Sequence, residues 1–209
     1  IVIAEVNPNM PRSMGGSMLH ISRIHHLVAV DGPITEIQRS VGQEGDIQRI
    51  ARYIAGIIDD GSTLQIGLGQ VAHQALQYLT DRKDLAIHSD LITDAIIPLL
   101  ENGCLTGALK TSRPFKIVTS LALGTKPLYD LIDGNPLFSF EPIDDVCNPA
   151  TIAEQHKMVA IAQAYAIDLT GQVCADSIGT QQFSGVGGQM DFMRGAALSE
   201  GGKPIIALC

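Results

Sequence analysis

Apolar segments that suit β-strands alternate along this chain with segments that have helical spacing, and this alternation constrains the fold most. Residues 63–66 predict a strand, residues 67–70 a glycine loop and residues 71–79 a helix. Further strands are predicted at residues 85–88, 117–123, 159–166 and 204–208. The pattern is typical of an α/β fold with an open, largely parallel sheet flanked by helices.

The remaining segments follow from helical periodicity and turn residues. Apolar residues recur at helical spacing from position 47 to position 58, with Asp46 as the expected N-terminal cap. Other helices are predicted at residues 93–102, 126–133 and around 192–197, a helical turn at 152–156 and a hairpin at 168–174. We also expect a buried strand at residues 1–6, short extended pieces at 27–30 and 34–37, and a linker at 40–44.

Composition excludes several classes of protein. A hydrophobic content of 45% supports a substantial core, and a charged content of 17% argues against disorder. The net charge of −8 disfavours nucleic-acid binding, and no apolar run approaches the roughly 20 residues of a membrane helix. The cysteines are too dispersed for a zinc site or a disulfide scaffold, so we expect reduced, buried thiols and no metal; they are Cys104, Cys147, Cys174 and Cys209.

Two glycine loops are candidate binding sites because parallel sheets bind ligands outside the carboxyl ends of their strands. Glycines in the loop at residues 67–70 allow a ligand to approach the backbone, but position 72 is alanine where a dinucleotide fingerprint has its third glycine. A tight turn that only packs is the alternative. The loop at residues 185–188 could admit a pantetheine chain or form an oxyanion hole, or could be a simple turn.

Asp90 is the candidate reactive group between these loops. We place it after a strand and before a helix, where a carboxylate is ordinarily a helix cap, with Thr93 and Asp94 as competing caps. His88 could act as an acid or base or be structural, whereas His25-His26 lacks a partnering motif.

Several segments in order resemble the acetyl-CoA hydrolase/transferase family, in particular its 4-hydroxybutyrate and acetate CoA-transferases. Residues 6–12 are similar to the family's VNPxMPR stretch, residues 64–69 to its LQxGIG loop and residues 88–94 to its H-[TS]-E-M-x-[ST]-D segment. Residues 168–177, 184–197 and 201–207 also match closely. The resemblance spans nearly the whole chain, which makes it far more specific than a single glycine motif.

The resemblance implies covalent catalysis by a carboxylate, through an acyl anhydride and an enzyme–CoA thioester. Asp90 aligns with the family's nucleophilic glutamate, although its side chain is shorter by about 1.5 Å. Glu101 lies too far along the next helix to replace it. The CoA-binding and oxyanion residues carried over are Gly67, Leu68, Gly69, Gln70, Val71, Gly187 and Gly188.

The resemblance also implies a domain organisation and partners. Family members contain two related α/β domains, so we expect residues 1–40 to cross over from a preceding domain and residues 41–209 to form a second domain that is incomplete at its C-terminus. Both ends of the chain look cut. We expect a cytoplasmic enzyme without a tightly bound cofactor, acting on a short-chain acyl-CoA and a carboxylic acid, and a homo-oligomer at full length.

Four functions remain open at this point. A CoA-transferase is the leading interpretation, and an acyl-CoA hydrolase would share every motif. A CoA-binding regulatory module without turnover is the third, motivated by the aspartate. A dinucleotide-dependent dehydrogenase is the fourth, and the incomplete fingerprint disfavours it.

Overall fold

The computed structural model describes residues 1–38 and 45–208. Its strands are β1 (Ile3–Val6), β2 (His26–Ala29), β3 (Thr63–Ile66), β4 (Ala86–Ile92), β5 (Ile117–Ala122), β6 (Phe138–Phe140), β7 (Met158–Ala164), β8 (Ala166–Ile167), β9 (Val173–Cys174), β10 (Ser177–Ile178), β11 (Gln181–Gln182) and β12 (Lys203–Leu208). Its α-helices are α1 (Asp46–Ile57), α2 (Gln70–Leu76), α3 (Ile97–Glu101), α4 (Lys126–Ile132), α5 (Ile143–Val146), α6 (Pro149–Ala153) and α7 (Gln189–Leu198).

Six strands form the main sheet in the order β12-β7-β3-β4-β5-β6, and every neighbouring pair is parallel. The predicted open, largely parallel sheet is therefore confirmed. The first strand of this sheet in the sequence is β3, which lies in the interior of the sheet. β4, β5 and β6 follow on one side of β3, and β7 and β12 are then added on its other side. The direction of winding thus reverses between β3 and β7, which is where open α/β sheets form a crevice for ligands.

Helices cover both faces of this sheet, and each face has its own apolar core. The larger core joins α1 to α4 with strand residues such as Leu64, Ile87 and Val159. The smaller core joins α5, α6 and α7 with strand residues such as Val118 and Ala160. Because strands buried on both faces need apolar side chains throughout, this architecture explains the nearly continuous apolar runs in the sequence.

The N-terminal strands differ from the sequence prediction. β1 and β2 pair in parallel with each other, and the apolar side chains of Ile3, Val6 and Leu27 are exposed. The expectation that residues 1–6 form a buried strand is therefore wrong for this chain, because nothing within the described residues covers the pair. Residues 34–37 do not form a strand, and the expected linker at 40–44 falls outside the described residues.

Residues 10–17 attach the N-terminal segment to the main domain at the edge strand β6. Gly15 forms a parallel bridge with Phe140, whose backbone N–H donates to the carbonyl of Met14 at 2.7 Å. The backbone N–H of Arg12 donates to the Asp133 carboxylate at 2.8 Å.

Tertiary context also moves several element boundaries. β4 continues through Asp90 because Leu91 and Ile92 pair with β5, so the carboxylate lies inside a strand rather than between a strand and a helix. The Thr93 hydroxyl caps the 3-10 turn that follows, which excludes Asp90 as that cap. The predicted helix at 93–102 is this turn plus the short α3, and Gly45 rather than Asp46 occupies the N-cap of α1.

None of the helices in residues 1–38 and 45–208 combines the length and apolar character needed to span a membrane. Cys104, Cys147 and Cys174 are free thiols. The expectation of buried thiols is confirmed for Cys104 and wrong for Cys147 and Cys174, which are half-buried.

Candidate active site

A cavity of about 480 Å³ lies at the carboxyl edge of the main sheet, where β3, β4 and β7 end. Its size falls within the range of about 300–1,000 Å³ that is usual for small-molecule sites. The structure brings most of the candidate residues from the sequence around this cavity; they are Gly67, Leu68, Gly69, Gln70, Asp90, Gly187 and Gly188. Three segments distant in the sequence therefore meet at the predicted edge of the sheet.

Asp90 projects into the cavity from the fifth position of β4 and is only partly exposed. Its Oδ1 accepts hydrogen bonds from Gln65 Nε2 and from the Ser89 hydroxyl, each at 3.4 Å. Burial raises the pKa of this carboxyl above its ordinary value, and these hydrogen bonds counteract part of the effect. A partly desolvated carboxylate held by two long hydrogen bonds can act as a nucleophile.

Close packing requires the first of the two glycines that follow β3. A Cβ atom at Gly67 would lie 2.8 Å from the backbone carbonyl oxygen of Ile161, whereas one at Gly69 would meet the flexible end of the Gln163 side chain. Leu68, between the two glycines, and Gln70, directly after the second, are exposed at the cavity. Val71 is placed differently, because its side chain is buried in the larger core and does not line the cavity.

The second glycine loop faces the first across the cavity. Gly187 has a φ of +61°, a conformation that favours glycine. Gly188 is the N-cap of α7, so no side chain caps the first backbone N–H groups of this helix. A Cβ atom at Gly188 would lie 2.9 Å from Cys147 Sγ. At its glycines this loop therefore offers backbone surface to the cavity.

Two small hairpins, β8–β9 and β10–β11, precede this loop, and their flanking residues form the outer wall. The rings of Tyr165 and Phe183 meet edge to face with centroids 5.3 Å apart. Phe183 and Val186 are exposed by 63% and 66%, respectively. These two side chains give the mouth of the cavity an apolar part.

His88 is structural in this arrangement. It is fully buried, its Nε2 lies 2.9 Å from the Val146 carbonyl oxygen, and its ring meets Phe192 edge-on. Burial and the nearby positive charge of Lys110 lower its pKa to about 4. An uncharged, enclosed imidazole of this kind supports β4 and does not reach the cavity.

Two glutamines at the site escaped the sequence analysis. Gln65 lies in β3, is 5% exposed and contacts Asp90; Gln163 lies near the end of β7, and its Oε1 has no hydrogen-bond partner among the described residues. The available signal was a polar residue inside an otherwise apolar strand, as in Leu64-Gln65-Ile66, because a buried polar group needs a specific partner.

Within residues 1–38 and 45–208, no three histidine, cysteine, aspartate or glutamate side chains are grouped so that they could hold a metal ion.

Comparison with known proteins agrees with the geometry. Residues 124–209 match the acetyl-CoA hydrolase/transferase C-terminal domain. The chain is 44% identical to the 4-hydroxybutyrate coenzyme A transferase of Clostridium kluyveri, over all of this chain and 48% of that protein. It is 39% identical to the succinyl-CoA:acetate/propanoyl-CoA:succinate CoA transferase of Fasciola hepatica, over 99% of this chain and 44% of that protein.

More distant sequences and solved structures extend the comparison. An acetyl-CoA hydrolase of Kluyveromyces lactis is 26% identical over 65% of this chain and 26% of its own length. The crystal structure of the 4-hydroxybutyrate CoA-transferase of Porphyromonas gingivalis superposes with a TM-score of 0.85 at 38% identity, covering 97% of this chain and 48% of that one. This chain spans about half the length of the CoA-transferases it matches.

Proposed function

We propose, from the premise that this chain belongs to the acetyl-CoA hydrolase/transferase family, that it supplies the nucleophile and part of the CoA site of a CoA-transferase. The observation that carries the proposal is the position of Asp90, which enters one cavity between the two glycine loops. Short-chain acyl-CoA and a carboxylic acid would be the substrates, in line with the names of the similar transferases.

In the proposed reaction, an oxygen of Asp90 attacks the thioester carbonyl, the C–S bond breaks and CoA leaves as a thiolate. The product is an anhydride between the acyl group and Asp90. The CoA thiolate then attacks the Asp90 carbonyl carbon and releases the acyl group as a free carboxylate, which leaves an enzyme–CoA thioester. An incoming carboxylate reverses both steps and departs as the new acyl-CoA.

The cavity supports this chemistry in three ways. The backbone is accessible at Gly67, Gly69, Gly187 and Gly188, where amide groups can bind CoA and the oxygen that becomes negatively charged. Partial burial of Asp90 removes water from the nucleophile. The apolar part of the mouth beside Phe183 and Val186 suits the pantetheine arm and a short acyl chain.

We also propose that residues 1–40 lead in from a preceding domain and that residues 41–209 form part of a second, related domain. A two-stranded parallel pair with exposed apolar side chains, such as β1–β2, is not expected to be stable without further cover. The rest of a longer protein, or a second copy of it in a homo-oligomer, would provide that cover.

The same proposal includes a cytoplasmic location. It also includes binding of CoA as a substrate, without a resident cofactor.

Trapping of the covalent intermediate tests the proposed reaction. A full-length protein that contains this chain is incubated with acetyl-CoA and then treated with hydroxylamine or borohydride, and the adduct is mapped by peptide mass spectrometry. We expect the modification on Asp90 and none in an Asp90→Asn variant. A modification on a different residue would contradict the assignment, and intact CoA binding without any adduct would favour the regulatory module.

Hydrolysis is the second candidate because acetyl-CoA hydrolases are among the similar proteins. The two reactions share the anhydride and differ in whether a carboxylate or water resolves the covalent intermediates. Adding isotopically labelled acetate, butyrate or 4-hydroxybutyrate to the enzyme and acetyl-CoA, without the trapping reagent, distinguishes them. Formation of a new acyl-CoA indicates transfer, and loss of thioester without a new acyl-CoA indicates hydrolysis.

A further inference from the structure

The sheet opens between β3 and β4 directly beside Asp90. These strands pair at Thr63↔Ala86 and Leu64↔Ile87, whereas β4 remains paired with β5 as far as Ile92. Beyond Ile87, the Ser89 hydroxyl accepts the Ile66 N–H at 3.1 Å in place of a strand-to-strand backbone bond. Side chains therefore bridge the opening in which the carboxylate lies.

Gln65 also spans this opening, and its amide has a fixed orientation. Its Oε1 accepts the backbone N–H of Ile161 in β7 at 3.1 Å. Because an N–H must be bound by the oxygen and not by the NH₂ group, the Nε2 of Gln65 is directed at Asp90 Oδ1, 3.4 Å away. Gln65 is only 5% exposed, which limits competition from water.

We infer that Gln65 is a catalytic residue whose amide donates to Asp90 Oδ1 throughout the reaction. This inference rests on the proposed CoA-transferase function. The donor would orient the carboxylate for attack on the thioester. When the CoA thiolate later attacks the Asp90 carbonyl, Oδ1 takes up negative charge and the same N–H stabilises it. Catalytic hydrogen bonds are often long before substrate binds, as this one is.

The hydrogen bond from Gln65 lowers the pKa of Asp90 and opposes the effect of burial. Tyr165 lines the same cavity as Asp90, and the charges of Asp90 and of Asp191 in α7 both act on Cys147 after α5. Burial raises the pKa of Cys147 to about 11, so this thiol stays neutral while carboxyls titrate. Asp191 is also a carboxyl group, so a pH-dependent measurement must distinguish its titration from that of Asp90.

Two substitutions and one control test the role of Gln65 in the full-length enzyme. Gln65→Met removes the donor. Gln65→Glu keeps an acceptor for the Ile161 N–H but places an oxygen against Asp90. Gln74→Met is the matched control, because Gln74 is an equally buried glutamine in α2 that does not line the cavity. Loss of one such donor is expected to lower kcat on the order of 100-fold, with a smaller change in KM.

Carbodiimide labelling of Asp90 at a series of pH values, followed by peptide mass spectrometry, measures the titration without requiring activity and separates Asp90 from Asp191. We expect the midpoint to shift to higher pH in Gln65→Met and further in Gln65→Glu, and to stay at the wild-type value in Gln74→Met. Unchanged midpoints in both Gln65 variants would overturn the inference. Failure of the wild-type protein to form an Asp90 adduct with acetyl-CoA would instead overturn the proposed function.

Discussion

At the scale of single residues, Asp90 combines partial burial with two hydrogen bonds of 3.4 Å to the same oxygen. Burial raises the pKa of Asp90 above that of an ordinary aspartate. As the pH falls, the ionised form needed for attack is therefore lost at a higher pH than for an exposed aspartate. Sequence patterns identified this carboxylate. Its supporting donor, Gln65, became recognisable only when β3, β4 and β7 were adjacent.

Asp90→Glu tests whether the site is built for the shorter side chain. The longer carboxylate would reach about 1.5 Å further into the cavity and lose the present contacts with Gln65 and Ser89. We expect kcat/KM to fall on the order of 100-fold, as misplacement near 1 Å can cause. The measurement is acyl-CoA formation by the full-length enzyme. A marked rise in activity would instead show that aspartate is a handicap.

Lys110 gives a pH-dependent prediction for stability. It is buried, its Nζ donates to the Lys116 carbonyl at 3.4 Å, and burial lowers its pKa to about 7. The unfolded lysine binds a proton up to about pH 10.4, so the cost of burying the charge is full below pH 7 and disappears gradually towards pH 10. Lys110→Met should therefore stabilise the fold, by about 2 kcal/mol at pH 6.5.

Urea unfolding at pH 6.5 and pH 9.5 checks this prediction. The gain from Lys110→Met should be smaller at the higher pH, where the wild-type lysine is already neutral in the folded state. Lys83→Met is the control, because Lys83 is exposed and its replacement should change the free energy of unfolding little at either pH. An equal gain at both pH values would show that the charge is not the cause.

At the scale of elements, the end of β3 is fixed by its contact with β7. Gly67 packs against the backbone carbonyl of Ile161, which cannot move without disturbing the β3–β7 ladder. The pairing of β3 with β7 therefore requires glycine at position 67. Of the two interpretations left open by the sequence, packing therefore applies to Gly67, and access to a ligand stays a prediction.

Gly67→Ala should lower the free energy of unfolding by about 1–3 kcal/mol, because the added methyl group would lie against backbone rather than a mobile side chain. The matched control is Gly56→Ala in α1, where the surroundings are open and alanine favours the helix, so a gain of about 0.5–1 kcal/mol is expected. Chemical denaturation of the two variants compares them directly. Equal effects would contradict the packing argument.

At the scale of the whole molecule, apolar side chains are exposed in two places, on β1 and β2 and at the cavity beside Phe183 and Val186. Patches of this kind usually mark surfaces that another part of a protein covers. We expect the 209-residue chain alone to show no acyl-CoA exchange and a full-length protein to be active, because we propose that this chain supplies only part of the CoA site of a two-domain protein. Parallel assays of both forms, with CoA binding by calorimetry, check this.

Retention of full exchange activity by the isolated chain would contradict the two-domain site. Amide hydrogen exchange provides a second measurement on the same forms. Protection of β1 and β2 should increase in the full-length protein relative to the isolated chain, while protection of β3 and β7 in the main sheet should change little.

The sequence by itself determined the layered architecture, since the spacing of apolar residues specifies which segments are strands and which faces of the helices are buried. It also selected Asp90 and the two glycine loops. Only the tertiary structure decided that β4 runs through Asp90, because that extension depends on pairing with β5. Likewise, Gln65 is oriented by an N–H 96 residues away, and no local pattern encodes such a partner.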